Sequence, residues 1–228
     1  MKIASDFKQR EIVHTHTLPW IASPMAGVDR RALDRVGGEV ARATTIVRYA
    51  PGSHFSPHTH TGGEEFIVLE GVFQDEHGDY PSGSYVRNPP QSKHTPRSDN
   101  GCIMLVKLWQ FQLEDRNHIN HQMNTMDQAR LSNGVYITPL YHDHIEEVAL
   151  YHLDANAQLD LQPLGGAELF VLEGAITEQQ DELIEHSWLR VPIGDALNIR
   201  AGRDGAKIWL KTNHLLDVDQ QIARVSQA

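Results

Sequence analysis

Hydrophobic residues in this chain occur in short runs separated by turn residues, a pattern typical of β-strands. The run over residues 65–71 is rich in branched and aromatic side chains and ends in glycine, as expected for a buried strand that enters a turn. Similar runs predict strands near residues 43–49, 54–60, 64–69, 84–87, 93–97 and 102–111. Strands resume near residues 135–139 and 148–153 and end near residue 210.

Three segments lack this pattern. Residues 1–35 form a lead-in that is interrupted by prolines, and residues 114–130 are polar with few strand formers, which predicts a junction between two domains. In the tail, residues 215–228, apolar side chains follow a partly helical spacing, so this segment either packs as a short helix or frays.

The two halves of the chain are similar to each other. An offset of 103 residues aligns residues 66–71 with residues 169–174, and Pro89 with Pro192. Such self-similarity indicates an internal duplication, and each half has about the length of one eight-stranded jelly roll. We therefore predict an all-β protein of two tandem jelly-roll barrels, divided into residues 1–116 and 117–228.

Four residues of the first half have the types and spacing of metal ligands. His58 and His60 lie two residues apart on a predicted strand, so both side chains point to the same face and can reach one ion. A turn at Gly62 and Gly63 returns the chain, so that Glu64 enters from the next strand, and His94 would come from a later one. The joint spacing favours a metal site over a set of hydrogen-bonded buried histidines.

These residues carry a resemblance to the cupin superfamily. Its first motif, G-x5-H-x-H-x3-E-x6-G, is matched at every fixed position by Gly52, His58, His60, Glu64 and Gly71. Its second motif, G-x5-P-x-G-x2-H-x3-N, is matched by Gly83, Pro89 and His94 and departs at Gln91 and Ser98. Neither departure replaces a ligand. The resemblance implies the double-stranded β-helix fold of this superfamily in both halves, that is, a bicupin.

A narrower resemblance covers roughly residues 15–115. Residues 48–52 and 85–98 are similar to the cupin domain of ChrR-type anti-sigma factors. In that family the cupin carries a zinc site, and a separate N-terminal helical domain with its own zinc ligands binds the sigma factor. Here only a lead-in precedes the first predicted strand, and Cys102 is the sole cysteine. We therefore do not expect sigma-factor binding.

The offset of 103 residues also bears on the second half. The residues that align with His58, His60, Glu64 and His94 are Leu161, Pro163, Ala167 and Leu197. None of them can bind a metal through its side chain, so we expect the second barrel to hold no ion at that place. It is expected to serve in packing, in dimerisation or as an apolar pocket.

The metal-ligand set allows two functional classes. We expect one divalent ion, with zinc favoured and iron, manganese or nickel as alternatives. Tetrahedral zinc with four protein ligands has no position for a substrate, which makes the site structural or sensory. An octahedral ion keeps positions open for a substrate and dioxygen. The first class is a regulatory or small-ligand-sensing protein, favoured by the ChrR resemblance. The second is a non-haem dioxygenase acting on a diketone or hydroxyketone.

For the dioxygenase, the sequence offers pocket candidates but no acid or base of assigned role. The apolar walls would come from Phe66, Val68 and Met104, and the polar candidates on neighbouring strands are Arg48, Tyr49 and Lys107. Whether the protein is an enzyme therefore stays open at this level.

Composition limits the partners. Twenty basic and 30 acidic residues give a formal charge of −10, which disfavours direct binding of nucleic acid. The N-terminus lacks the apolar run of a signal peptide, and no segment is long enough to cross a bilayer, so we expect a cytoplasmic protein. The single Cys102 fits a reducing compartment and lies in an apolar run where burial is expected. A homodimer is expected from the prevalence of two-fold oligomers.

Overall fold

A computed structural model describes residues 1–227, and these residues are mostly β-strand. Strands β1 to β11 are Lys2–Ile3, Glu11–His14, Ile21–Ala22, Val28–Gly37, Ala41–Tyr49, Ser53–His54, His58–His60, Glu64–Asp75, Gly78–Pro81, Ser84–Asn88 and Ser92–His94. Strands β12 to β22 are Arg97–Ser98, Cys102–Leu108, Ile119–Gln122, Ala129–Ser132, Val135–His142, Glu147–Leu153, Gln158–Leu161, Ala167–Glu178, Asp181–Ile184, Ser187–Val191 and Leu197–Thr212. Short 3-10 helices lie at Thr15–Thr17, Met123–Thr125 and His214–Asp217, and helix α1 is Val218–Val225.

The chain folds into two compact units. The first unit contains Met1–Ser5, Leu18–Asn124 and residues 220–227, and the second contains Asp6–Thr17 and Thr125–Asp219. This partition differs from the predicted division at residues 116 and 117. The prediction assumed that each half is continuous in sequence, whereas Asp6–Thr17 and residues 220–227 each belong to the unit built mainly from the other half.

Strand pairing explains the difference. β2, close to the N-terminus, pairs antiparallel with β21 of the second unit. β14, in the predicted junction, pairs with β10 of the first unit. The tail forms α1, and its residue Gln221 accepts a hydrogen bond of 2.8 Å from Arg42 Nε in the first unit. Each of these segments is polar or short, so its partner is set by the tertiary fold rather than by local hydrophobicity.

In the first unit, the strand order of the main sheet is β1-β4-β5-β13-β8-β10-β14, and β7 pairs separately with β11. The ten-residue strand β4 lies in the predicted lead-in, where its charged residues conceal the alternation of a strand. Two predicted strands are each divided in two, β6 from β7 around Pro57 and β11 from β12 around Pro96. Proline cannot donate to a strand ladder, which accounts for both breaks.

The second unit repeats the first in register. His58 lies opposite His94 in the β7–β11 pair, and Leu161 lies opposite Leu197 in the β18–β22 pair. Both pairs obey the offset of 103 residues, which confirms the internal duplication. Ala167 and Leu197 belong to the hydrophobic core of the second unit, and Leu161 packs against it. Apolar side chains therefore take the places that the candidate ligands have in the first unit.

The α-helical content is small. Within residues 1–227, no helix is long and apolar enough to cross a bilayer.

Candidate metal centre

Three short segments of the first unit carry the candidate ligands. β7 holds His58 and His60, and β11 brings His94 opposite His58. Glu64 is the first residue of β8, directly after the Gly62–Gly63 turn. The sequence pattern thus folds as expected locally, and the four side chains converge.

The ring nitrogens of the three histidines approach one another closely. His60 Nε2 lies 3.1 Å from His58 Nε2 and 2.8 Å from His94 Nε2. Glu64 Oε2 is 3.4 Å from His60 Nε2 and 3.6 Å from His94 Nε2. One nitrogen of each histidine lies within 4.8 Å of those of the other two, so this cluster could hold a metal ion.

The chemistry of the donors, rather than their spacing, indicates which ions the cluster could hold. Imidazole with carboxylate is a donor set that suits several first-row divalent ions. The residues present therefore fit such an ion.

Hydrogen bonds to the other ring nitrogens orient two of the histidines. His94 Nδ1 lies 3.0 Å from Asp75 Oδ2, and His58 Nδ1 lies 2.9 Å from the carbonyl oxygen of Ser56. Because these acceptors form hydrogen bonds with the protonated Nδ1 atoms, the Nε2 atoms carry the lone pairs and can face an ion. Asp75, at the end of β8, was not identified from the sequence, since nothing in the motif marks it.

Replacing Asp75 by asparagine is expected to weaken metal binding. The backbone N–H groups of His77 and Gly78 donate to Oδ1 of residue 75, which directs the amide nitrogen of an asparagine toward His94. The ring then loses the oxygen that accepts its Nδ1–H hydrogen bond. Changes of this kind cost about 10–100-fold in metal affinity. Competition with a chromophoric chelator measures the effect, and Asp79→Asn is the control, because Asp79 accepts from Gln74 rather than from a histidine. Equal affinities in the two variants would contradict the role of Asp75.

The electrostatic environment differs between the rings. Burial lowers the pKa of His60 to about 4, against the opposing charge of Glu64, so this ring is neutral near pH 7. Burial also acts to lower the pKa of His94, but the hydrogen bond to Asp75 and the charge of Glu64 outweigh it, and the pKa is raised.

The nearby Tyr49 is also affected. Burial and the charge of Glu64 raise the pKa of Tyr49, so its hydroxyl stays protonated.

Three members of the cluster, His58, His60 and Glu64, line a cavity of about 110 Å³ in the first unit, whereas His94 is not part of its lining. The apolar part of the lining comes from Val47, Phe55, Phe73, Pro96, Met104, Val106 and Leu108. Of the predicted walls, Met104 lines the cavity, whereas Phe66 and Val68 lie in the adjacent hydrophobic core. The cluster is thus open to a space that a small molecule can enter.

Of the three polar pocket candidates from the sequence, one lines the cavity and two do not. Tyr49 lines the cavity. Arg48 instead donates to Asp29 at 2.6 Å, and the buried Lys107 donates to Thr44 Oγ1 at 3.1 Å; neither lines the cavity. Arg30, which the sequence analysis did not single out, does line it. If β4 had been predicted as a strand, the two-residue spacing between Arg30 and the buried Val28 would have indicated that Arg30 faces inward.

Cys102 is buried, with 4% of its surface exposed, as expected from its apolar run. Burial raises the pKa of its thiol to about 11, in spite of a hydrogen bond with Ser98. The thiolate is the reactive form, so we expect labelling by a disulfide reagent at pH 8 to be about a hundredfold slower in the native protein than after unfolding. Native labelling should accelerate as the pH approaches 11. Fast native labelling at pH 8 would instead indicate a reactive, redox-sensing thiol.

Comparison with protein families gives a match for part of the chain. Residues 8–112 match the family model described as ChrR Cupin-like domain. The matched region contains all four candidate ligands and agrees with the resemblance noted from the motifs. No sequence among the curated proteins matches the chain significantly.

Several solved structures share the fold. A candidate dioxygenase from Nostoc punctiforme PCC 73102 aligns with a TM-score of 0.71 and 14% identity, over 89% of this chain and 82% of that chain. The pirin YhhW from Escherichia coli, in complex with nickel(II), aligns with a TM-score of 0.65 and 14% identity, over 90% and 99%. Salicylate 1,2-dioxygenase from Pseudoaminobacter salicylatoxidans, with gentisate adducts, aligns with a TM-score of 0.65 and 10% identity, over 95% and 84%.

At these identities the likeness concerns the fold alone. It extends over about nine-tenths of the chain and therefore through both units. The protein is an all-β protein with two jelly-roll units of the cupin fold, and its residues 8–112 match the model of the ChrR Cupin-like domain.

Proposed function

We propose that the protein is a metal-dependent enzyme of the non-haem dioxygenase type, acting on a small oxygen-rich molecule such as a diketone or hydroxyketone. His58, His60, Glu64 and His94 would hold one divalent ion. When bound, a first-row ion would polarise the oxygens of the substrate and, in the case of iron, supply the redox chemistry with dioxygen. The protein would contribute ligand orientation, a dry cavity and hydrogen bonds.

The observation that carries this proposal is that the ligand cluster faces a cavity. A structural zinc site is closed, with its coordination filled by protein. Here His58, His60 and Glu64 line a cavity of about 110 Å³ with mainly apolar walls, which leaves space beside the cluster for a small molecule. Small-molecule sites combine apolar walls with a few polar groups in this way.

Within the cavity, Tyr49 offers a neutral hydroxyl group to a substrate. Tyr49 is buried between Phe55 and Phe73, whose ring centroids lie 6.0 and 5.8 Å from its own. Because the hydroxyl stays protonated, it can donate a hydrogen bond to a substrate oxygen without taking on charge. The aromatic rings around it exclude water and hold it in one orientation.

A second function is favoured by the match of residues 8–112 to the ChrR Cupin-like domain. In that case the protein would be a regulatory or sensing metal cupin, and the same cavity would receive an effector. The favoured ion would then be zinc. This alternative shares the ligand set with the enzyme and differs from it in turnover.

Metal analysis combined with dioxygen uptake tests the two functions. Protein purified from a metal-balanced medium is analysed for bound metals, then loaded with iron and tested for dioxygen uptake with a panel of diketones and hydroxyketones. Substrate-dependent uptake that is lost in the His58→Ala/His60→Ala variant supports the enzyme. One equivalent of zinc, with no uptake by the iron form, contradicts it and favours the sensor.

A further inference from the structure

The cavity beside the histidine cluster carries an excess of positive side chains. Among the described residues that line it, Glu64 is the single acid, whereas Arg30 and Arg35 are both basic. A bound divalent ion would add two further positive charges, and Glu64 would offset only one of them. The cavity is therefore suited to an anion.

Arg30 enters the cavity because of its place on β4. It lies opposite Val47 of β5, which lines the same cavity. Strand residues two apart share a face, so Arg30 points inward with the buried Val28, and its neighbour Arg31 points away. Arg31 stacks on Trp20, with its Cζ atom 4.1 Å from the ring centroid.

The guanidinium of Arg30 has no acidic partner among residues 1–227. It forms no ion pair and no side-chain hydrogen bond with them; its aromatic contact is Phe55, with Cζ 5.9 Å from the ring centroid. Burial lowers the pKa of Arg30. Because burial removes part of the water around this charge, a carboxylate ligand that forms charge-assisted hydrogen bonds with it would be favourable.

The second arginine of the cavity, Arg35, does not compensate the positive charge of Arg30. Its guanidinium donates to the carbonyl oxygens of Gly38 and Glu39, which are neutral acceptors. Burial, together with the nearby charge of Arg30, lowers the pKa of Arg35. The two guanidinium groups therefore repel each other, and an anion between Arg30 and the histidine cluster would reduce that repulsion.

The guanidinium of Arg30 and the histidine cluster have a neighbour in common. The ring centroid of Phe55 is 5.9 Å from Arg30 Cζ and 5.9 Å from the His58 ring centroid, so both polar groups are within reach of one small molecule in the cavity. A carboxylate can accept two parallel hydrogen bonds from a guanidinium, which fixes both its place and its orientation. The remaining walls are apolar and leave room for a short carbon skeleton.

Building on the proposed function, we propose that the substrate is a small carboxylic acid, bound with its carboxylate on the Arg30 guanidinium and its other oxygens facing the histidine cluster. Arg30 then acts as the specificity-determining residue of the cavity. Neutral diketones fill the same space without its charge-assisted hydrogen bonds.

A pair of ligands that differ in one group tests this assignment. 2,4-Dioxopentanoate and 2,4-pentanedione share the diketone and differ at one end, where a carboxylate replaces a methyl group. Calorimetric titration into nickel-loaded protein at pH 7, in a buffer free of dioxygen, measures binding without redox turnover and keeps coordination positions open for the ligand. We expect the acid to bind about tenfold more tightly or better, because an arginine–carboxylate pair in a partly buried site contributes that much or more.

Three variants separate the role of Arg30 from general effects. Arg30→Gln should abolish the preference for the acid while changing the affinity for pentanedione by about twofold or less, and Arg30→Lys should restore the preference only in part. Arg31→Gln, the same change on the adjacent residue that faces away from the cavity, should behave like the unmodified protein. No binding of the acid, a preference that persists in Arg30→Gln, or an equal loss for both ligands would each overturn the assignment.

This test can fail independently of the proposed function. Dioxygen uptake with pentanedione, but no preference for the acid, would keep the enzyme and remove the carboxylate site. An acid preference that depends on Arg30, without uptake by the iron form, would keep the carboxylate site and remove the enzyme.

Discussion

The His58→Ala/His60→Ala variant is expected to lose its bound metal, falling from about one equivalent to less than about a tenth of one per chain. The change removes two of the three imidazoles whose ring nitrogens lie within 4.8 Å of one another. His94 and Glu64 remain, and two ligands do not retain a divalent ion through purification. Elemental analysis after dialysis against a weak chelator measures the loss.

The choice of these two histidines keeps the rest of the site intact. Both are only partly buried, whereas His94 is 3% exposed and hydrogen-bonded to the buried Asp75. The matched control is His54→Ala/His77→Ala, which removes two exposed histidines from the same part of the chain. The control should keep its metal, and both variants should keep the circular dichroism of the parent. One full equivalent of metal in the His58→Ala/His60→Ala variant would refute the ligand assignment.

Gly71→Ala is expected to be strongly destabilising, with Gly52→Ala as its reference. Both glycines belong to the same motif and have nearly equal backbone angles, with φ of +72° and +74°. An alanine in this left-handed region costs about 1–2 kcal/mol at either position. At Gly71, however, a Cβ atom would lie 2.1 Å from the carbonyl oxygen of Gly101, whereas at Gly52 it would meet nothing within 4 Å.

The steric conflict at Gly71 cannot be relieved by a rotamer change, because the opposing atom is the backbone carbonyl oxygen of Gly101, the residue directly before the paired strand β13. Overpacking of this kind adds about 1–3 kcal/mol. Gly71→Ala should therefore lower the melting temperature of the first unit well beyond the effect of Gly52→Ala, as measured by differential scanning calorimetry. Equal effects of the two substitutions would mean that the backbone angle alone, and not the approach to β13, requires glycine at residue 71.

The second unit offers an internal comparison for this contact. Gly174 corresponds to Gly71 by the offset of 103 residues. A Cβ atom there would lie 2.3 Å from the carbonyl oxygen of Gly205. The same close approach thus recurs in the unit that has no histidine cluster, which assigns this glycine to the fold and not to the metal centre.

Much of the candidate site was readable from local sequence. His58, His60 and Glu64 lie within seven residues, so strand parity and one turn are sufficient to bring them together. The repeat was also readable, because the duplicated strands keep their hydrophobic pattern. The opposition of Leu161 and Leu197 in the second unit matches that of His58 and His94 in the first.

Asp75 and Arg30 were not readable in the same way. Asp75 reaches His94 across 19 residues of sequence, and an acid at the end of a strand has many other uses. Arg30 lies in a charged segment with no clear alternation, and it faces the cavity only because β4 pairs with β5 in one register. A shift by one residue would have turned it outward.

The residue pattern of this chain was sufficient for the all-β class, the duplication and the convergence of the four candidate side chains, because each depends on strand periodicity and short spacing. Pairing between distant strands was decided in three dimensions. Tertiary packing placed β2 in the second unit and most of α1 in the first. It also brought Asp75 within hydrogen-bond distance of His94, and it placed Arg30 in the cavity that His58 and His60 line. Such contacts arise from the packing of whole sheets, where a polar segment has no local preference among possible partners.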